Sequence, residues 1–231
     1  MYTDFASVYD LVYAGKDYAA ESASVTALIR ERVPRAVSLL DTACGTGGHL
    51  RHLTGSFTAE GLELSTEMAA IARERGFDVT IGDMRGFDLG RRFDAVVCLF
   101  GAIGYAGGVS GLDAAVAHMA AHLAPGGVLV IENFHAPGEF FDGYRVADGW
   151  ADGGRALTRL SVSELRGDVG VMNWHFVFDD GEETRYFVDR HEMSLYGDAD
   201  FERAFAAAGL SAERLDGVLG RTVYAGVAGR S

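Results

Sequence analysis

From Asp17 to Val33 the residues Tyr18, Ala19, Ser22, Val25, Leu28, Ile29 and Val33 recur at helical spacing, which predicts a helix that Pro34 ends. Val37 to Leu40 is a short apolar run entering a glycine-rich turn, the signature of a buried parallel strand that feeds a helix. Thr58–Leu64 predicts a second strand, and Ser65 caps a helix over Thr66–Arg75 with Gly76 just past its end. Phe77–Ile81 predicts a third strand, Phe93–Phe100 a fourth, Leu112–Leu123 a helix, and Val128–Glu132 a fifth strand after the turn Pro125-Gly126-Gly127. The alternation of strand and helix up to residue 133 predicts an α/β fold, a doubly wound and mostly parallel sheet with helices on both faces.

The pattern changes between 155 and 196. Leu157, Arg159, Ser161 and Ser163 alternate with other types, Met172–Phe178 is a second run, and Asp179-Asp180-Gly181 is a turn signal before Arg185–Leu195. This predicts a small antiparallel β insertion of about three strands. Asp200–Ala208 returns to helical spacing, Gly209 ends it, and Leu210–Leu215 and Thr222–Val227 predict a final hairpin. The chain thus reads as one domain over 1–231. Its parts are an N-terminal segment and helix (1–36), a core (37–133), the insertion (155–196) and a C-terminal return to the core (197–231).

Composition narrows the partners. A net charge of −13 disfavours nucleic acid and acidic membranes, so a small-molecule ligand is the expectation. No stretch approaches the roughly 18 apolar residues of a membrane span, and the first residues lack signal-peptide character, so the expected location is cytoplasmic. Cys44 and Cys98 are two reduced, buried thiols on this reading, and no metal-ligand spacing is found; His49 and His52 read as a polar helix face.

The glycine turn Asp41-Thr42-Ala43-Cys44-Gly45-Thr46-Gly47-Gly48 lies where ligands bind in open α/β sheets, at the carboxyl edge. Gly45 and Gly47 are followed by Leu50, so the third glycine of a dinucleotide fingerprint is absent. Asp41 would repel a pyrophosphate but can receive the ammonium of an amino acid. Glu63, ending the second strand, can accept from both hydroxyls of a ribose, and Asp83, ending the third, from an adenine amino group with Met84 against the ring. Three acids at three successive strand ends describe an adenosine-plus-amino-acid ligand.

These residues resemble motif I, the ribose-binding acid and the adenine-contacting pair of class I S-adenosylmethionine-dependent methyltransferases, and Pro125-Gly126-Gly127 resembles that family's turn before the fifth strand. The resemblance implies a Rossmann-like, seven-stranded sheet with an antiparallel last strand and S-adenosyl-L-methionine as cofactor. It also places Ala43, Leu64 and Leu99 against the cofactor. Val8-Tyr9-Asp10-Leu11-Val12-Tyr13, Gly15-Lys16-Asp17-Tyr18, Phe100–Tyr105, His191-x-Met193-x-Leu195-Tyr196 and Gly220-Arg221 resemble bacterial enzymes that N-methylate nucleotide-linked deoxyaminosugars of the desosamine and mycaminose type. N-methyltransferases of lincosamide assembly are also similar. Two stretches depart from the sugar enzymes: the short Gly15-Lys16 link, and Asn133–Pro137, where those relatives often carry a Trp.

Family resemblance implies a role for the N-terminal segment, and residue type and placement along the chain suggest roles for others outside the core. The N-terminal segment is then a lid, Tyr18 meets the methionine carboxylate, and Tyr9 and Tyr13 border the methyl and the acceptor; the alternative is that these rings pack the first helix. His191 is a base or a structural strand histidine. Tyr105 and His135 follow the fourth and fifth strands on the acceptor side, or are surface loop residues. Arg221 clamps an anionic group such as a diphosphate, or makes a surface ion pair. The relatives make a homodimer plausible. O-methylation, a nucleotide-dependent oxidoreductase and a non-enzymatic cofactor-binding scaffold are the rival readings.

Overall fold

A computed structural model describes residues 3–230. The helices are α1 (Thr3–Val12), α2 (Tyr18–Arg32), α3 (Leu50–Leu53), α4 (Thr66–Glu74), α5 (Gly108–Ala121) and α6 (Asp198–Ala207). Strands β1 (Ser38–Thr42), β2 (Thr58–Glu63), β3 (Val79–Ile81), β4 (Phe93–Cys98), β5 (Leu123–Glu132), β10 (Glu213–Leu215) and β11 (Val223–Val227) make one seven-stranded sheet in the order β10-β11-β5-β4-β1-β2-β3. β1 to β5 run parallel, and β11 lies antiparallel between β5 and β10. This is the seven-stranded sheet with an antiparallel last strand that the resemblance implied. After β3 the chain crosses back to place β4 beside β1, and this reversal opens a crevice at the carboxyl ends of those two strands.

Period-2 alternation sends neighbouring residues to opposite faces. Leu40 joins the core beneath α5 and α6, with Phe201, Phe205 and Tyr224, while Leu39 joins the core beneath α2, with Val25 and Ile29. α2 begins at the Asp17 cap, whose carboxylate accepts from Ala20 N at 2.9 Å. Ser65 caps α4 by accepting from Met68 N.

A second sheet holds four antiparallel strands, β6 (Arg145–Asp152), β7 (Arg155–Arg166), β8 (Val169–Asp179) and β9 (Thr184–Ser194). One face carries Leu157, Trp174, Phe176 and Phe178 and packs on Phe5 and Val8 of α1 and Met68 of α4. The insertion therefore roofs the carboxyl edge of the main sheet, with α1 filling the angle between the two.

Several expected elements differ. The insertion begins at Arg145, not 155, and has a fourth strand. Its period-2 signal is weak because Ala147, Gly149 and Ala151 stand on the exposed face, where polar residues would mark the alternation, and Asp148 interrupts Val146 and Trp150 on the other. Phe77 is not in a strand: β3 starts at Val79, and the Phe77 ring lies against the glycine turn, where a Cβ on Gly47 would come within 2.6 Å of it. The helix after the glycine turn is a single turn, α3. α5 starts at Gly108 and β5 at Leu123, ahead of the Pro-Gly-Gly segment. No described helix is long and apolar enough to cross a membrane.

The Phe201 ring is fully buried and stacks on Tyr224 at 3.9 Å and 13°, joining α6 to β11. Phe201→Ala is expected to cost about 3–5 kcal/mol, read as a lower urea midpoint with an unchanged slope.

Candidate active site

A cavity of about 650 Å³ lies between the ends of β1, β2 and β4 below and the roof of α1 and the second sheet above. Its floor is the glycine turn. Ala43 and Gly45 adopt φ of 62° and 59°, which aims backbone into the crevice. Glu63 braces that turn: Oε2 accepts from Gly45 N and Oε1 from Ser65 N, each at 2.8 Å. Burial pushes the Glu63 carboxyl up, and the amide hydrogen bonds oppose this.

Asp41 is 2% exposed, and its Oδ2 has no hydrogen-bond partner among the described residues. Burial pushes its carboxyl up to about 7. A buried carboxylate oxygen facing a cavity without a donor is a seat for a cationic ligand group. Tyr18, Gly48, His49, Leu64, Met84 and Leu99 complete this end. The Tyr18 ring lies so close over Gly48 that a Cβ there would come within 2.6 Å of it.

Sequence-selected residues from distant segments meet here. Tyr9, Tyr13, Tyr18, Asp41, Ala43, Gly45, Glu63, Leu64, Met84, Leu99, Tyr105, His135, His191 and Arg221 all line the one cavity. Tyr9 and Tyr13 rings are 4.7 Å apart, and burial raises both phenol pKa values. Tyr105 Oη is 2.6 Å from His191 Nδ1. Burial and Arg221 lower the His135 pKa.

Two selected residues stand off the cavity wall. Asp83 is held by the Arg85 guanidinium at 2.9 and 3.0 Å, which lowers its pKa, while Met84 beside it lines the cavity. Gly47, with φ of 85°, makes room for Phe77. Arg221 lies 3.3 Å from Glu132 Oε1, and Glu132 Oε2 accepts from Phe100 N at 2.6 Å. This side of the cavity is thus tied to the ends of β4 and β5.

The structure adds residues that sequence reasoning passed over. Arg159 lies 2.6 Å from Asp148 and over the Trp174 ring at 4.8 Å, on the roof. Asp189 is buried with its Oδ2 3.3 Å from His191 Nε2. Lys16 packs its ammonium 3.9 Å from the Phe100 ring centre and pairs with Glu21, which in turn bonds His49 at 2.8 Å. Alternation within β7 and β9 could have flagged Arg159 and Asp189 as inward-facing; which cavity they face needed the docking of the two sheets.

A glycine turn with a bracing acid and an unpartnered buried acid, at the switch point of a seven-stranded sheet with an antiparallel last strand, defines an S-adenosylmethionine-dependent methyltransferase. Residues 39–127 match the methyltransferase domain family. The chain is 48% identical, over 97% of its length and 98% of the relative's, to the dTDP-3-amino-3,4,6-trideoxy-alpha-D-glucopyranose N,N-dimethyltransferase of Streptomyces venezuelae. It is 45% identical, over 98% of its length and 91% of the relative's, to the dTDP-3-amino-3,6-dideoxy-alpha-D-glucopyranose N,N-dimethyltransferase of Streptomyces fradiae. Its structure is similar, with a TM-score of 0.86 and 42% identity over 95% of this chain and 96% of the other, to S-adenosylmethionine-bound CalS10, an amino pentose methyltransferase from Micromonospora echinaspora involved in calicheamicin biosynthesis. The chain belongs to the S-adenosylmethionine-dependent methyltransferases, in the branch that holds these aminosugar N-methyltransferases.

The raised Asp41 pKa sets a sign. An unfolded Asp titrates near ~3.9, so between there and about 7 the folded chain holds a proton that the unfolded chain has released, and ligand-free stability falls as pH rises through that window. A ligand ammonium favours the carboxylate, so binding of S-adenosylhomocysteine at about pH 6 is expected to expel a proton. Calorimetry in two buffers of different ionisation enthalpy should give different heats for the wild type. Asp41→Asn should bind at least about tenfold more weakly, with equal heats in the two buffers.

Proposed function

We propose that this protein adds two methyl groups to the amino nitrogen of a nucleotide-linked deoxyaminosugar, within the assembly of an antibiotic. The observation that carries this reading is the single cavity that joins the Asp41–Glu63 end to an aromatic and basic end holding Tyr9, Tyr13, Tyr105, Arg159 and Arg221. The end-to-end similarity to two dTDP-aminosugar N,N-dimethyltransferases supports the acceptor class.

The bound cofactor supplies a methyl carbon on a sulfonium. Asp41 would hold its ammonium, Glu63 its ribose hydroxyls, and Leu64, Met84 and Leu99 the faces of its base. Tyr18 closes over Gly48 and keeps water from that end. Tyr9 and Tyr13 would wall the methyl from solvent and confine the approach of the nitrogen; positioning and dryness are what an in-line displacement requires of a protein. Arg221 and Arg159 each spend part of a five-donor guanidinium on a carboxylate, Glu132 and Asp148, and keep donors for phosphate oxygens.

A nucleotide-linked amino sugar should gain two methyl masses, and its hydroxyl analogue none; methylation of the hydroxyl analogue alone would replace this reading with O-methylation. Arg221→Met is expected to raise KM for the sugar nucleotide about tenfold or more with a smaller effect on kcat. An unchanged KM would remove Arg221 from the acceptor site.

A further inference from the structure

We propose that His122, at the end of α5, is a positioning residue that docks the loop 82–92 and so holds Met84 against the cofactor base, and that it does so only as the neutral imidazole. The inference rests on the placement of the base against Met84 proposed above. It does not depend on the identity of the acceptor.

The loop joins the end of β3 to the start of β4. Near its beginning Met84 lines the cavity. Gly82 N donates to Glu63 O at 2.9 Å at the first end, and Phe93 N donates to His122 O at 2.7 Å just past the second. Midway between them two main-chain groups meet histidines of α5. Phe87 O accepts from His118 Nδ1 at 3.0 Å, and Leu89 N donates to His122 Nε2 at 3.0 Å. The Phe87 ring stacks on the His122 ring at 4.3 Å and 22°. Phe87 is buried in the core against which Met84 also packs, so the docked part of the loop and the cavity wall move as one piece.

Both ring nitrogens of His122 are committed. Nε2 faces an N–H and has to accept, while Nδ1 lies 2.7 Å from His118 O and has to donate. The neutral ring with hydrogen on Nδ1 satisfies both partners. An imidazolium would set an Nε2–H against the Leu89 N–H, in a residue that is 4% exposed. The exposed Asp88 carboxylate stands 3.8 Å from Nε2 and is the group that takes the new Nε2–H once the ring parts from Leu89. The docked loop therefore carries one proton fewer than the released loop, and docking weakens as pH falls. His118 donates to a carbonyl, which either protonation state allows, so His122 is the group that reads the proton.

The charged and titratable groups around the ring are His118 from α5 and Asp88 from the loop. Arg91 is paired with Glu60 of β2, and Arg92, just before β4, bonds Leu123 O of β5 at 3.3 Å. β4 and β5 themselves meet this end of α5 with the apolar Phe93 and Leu123.

Methylthioadenosine carries the base and the ribose without the amino acid, so its binding does not engage Asp41. Its affinity would be measured by calorimetry between about pH 8 and about pH 5.5, where histidines ordinarily titrate. Wild type should lose about tenfold more affinity over this interval than His122→Gln, whose Oε1 can accept from Leu89 N and cannot take up the proton. Glu63 is common to both proteins, so the difference belongs to His122. His122→Phe keeps the stack and removes the acceptor, and should bind about tenfold more weakly already at about pH 8. Equal pH slopes for wild type and His122→Gln, or an unchanged affinity in His122→Phe, would overturn the proposal. Nitrogen-15 and methyl NMR of the wild type reads the same device without a substitution. Hydrogen on Nδ1 of His122 is expected at about pH 8, with the Met84 methyl signal moving as His122 titrates; hydrogen on Nε2, or a Met84 signal indifferent to that titration, would overturn it. If the NMR result is as expected but Met84→Ala binds methylthioadenosine as wild type does, the docking of the loop stands and the placement of the base has failed.

Discussion

The short hydrogen bonds from Gly45 N and Ser65 N to the Glu63 carboxylate hold together the ends of two strands on which everything else in the site is built. They bring the glycine turn after β1 against the end of β2. The positive φ at Ala43 and Gly45 is possible because the turn is braced there. With the backbone fixed in that path, Asp41 is carried below the surface with one oxygen unpartnered, and Gly48 lies under the Tyr18 ring. Such an arrangement is costly for an empty chain, since it desolvates two acids in one crevice. On the proposed reading it becomes favourable when a cation and a pair of hydroxyls fill it.

The roof solves a different problem. A small-molecule amine has to lose its water before it can attack, and the open edge of an α/β sheet is wet. The antiparallel sheet packs Trp174, Phe176 and Phe178 on Phe5 and Val8 of α1, and this apolar contact covers the edge. The same strands turn polar groups inward between those rings: Arg159, Ser161 and Ser163 from β7, Asp189 and His191 from β9. Hydrophobic residues thus close the cavity, and alternation within the strands supplies its chemistry. On the proposed reading the cofactor end belongs to the main sheet, while the acceptor end is shared by the α1 segment, the turn after β4, the residues before β11 and Arg159 of the insertion.

The parallel core was legible because its signals are local. The apolar runs of β1, β2, β4 and β5, the Asp17 and Ser65 caps and the glycine turn each depend on a few neighbouring residues, and each appears within a residue or two of its expected place at most of its ends. The edge strand β6 was not legible, since Gly149 and two alanines dilute its alternation. Phe77 reads as strand from its own side chain but is taken by Gly47, a partner it meets only through the crossing of β1 and α4. Asp83 was read as an adenine partner; the ion pair that Arg85, two residues on, makes with it depends on a side-chain conformation that spacing does not reveal.

By itself the chain determined the fold class, the methyl donor and many of the polar and aromatic residues that meet in the cavity, because periodicity, turn chemistry and acids at strand ends are properties of short segments. Only the tertiary structure decided which of these face one another. Tyr105 and His191 are 86 positions apart and Arg221 and Glu132 are 89, and nothing in either local sequence encodes such a pair. The first pair depends on how β9 is laid over the turn after β4, and the second on the antiparallel pairing of β11 with β5. The contact of Tyr105 with His191 therefore exists only when two sheets, each readable on its own, are docked.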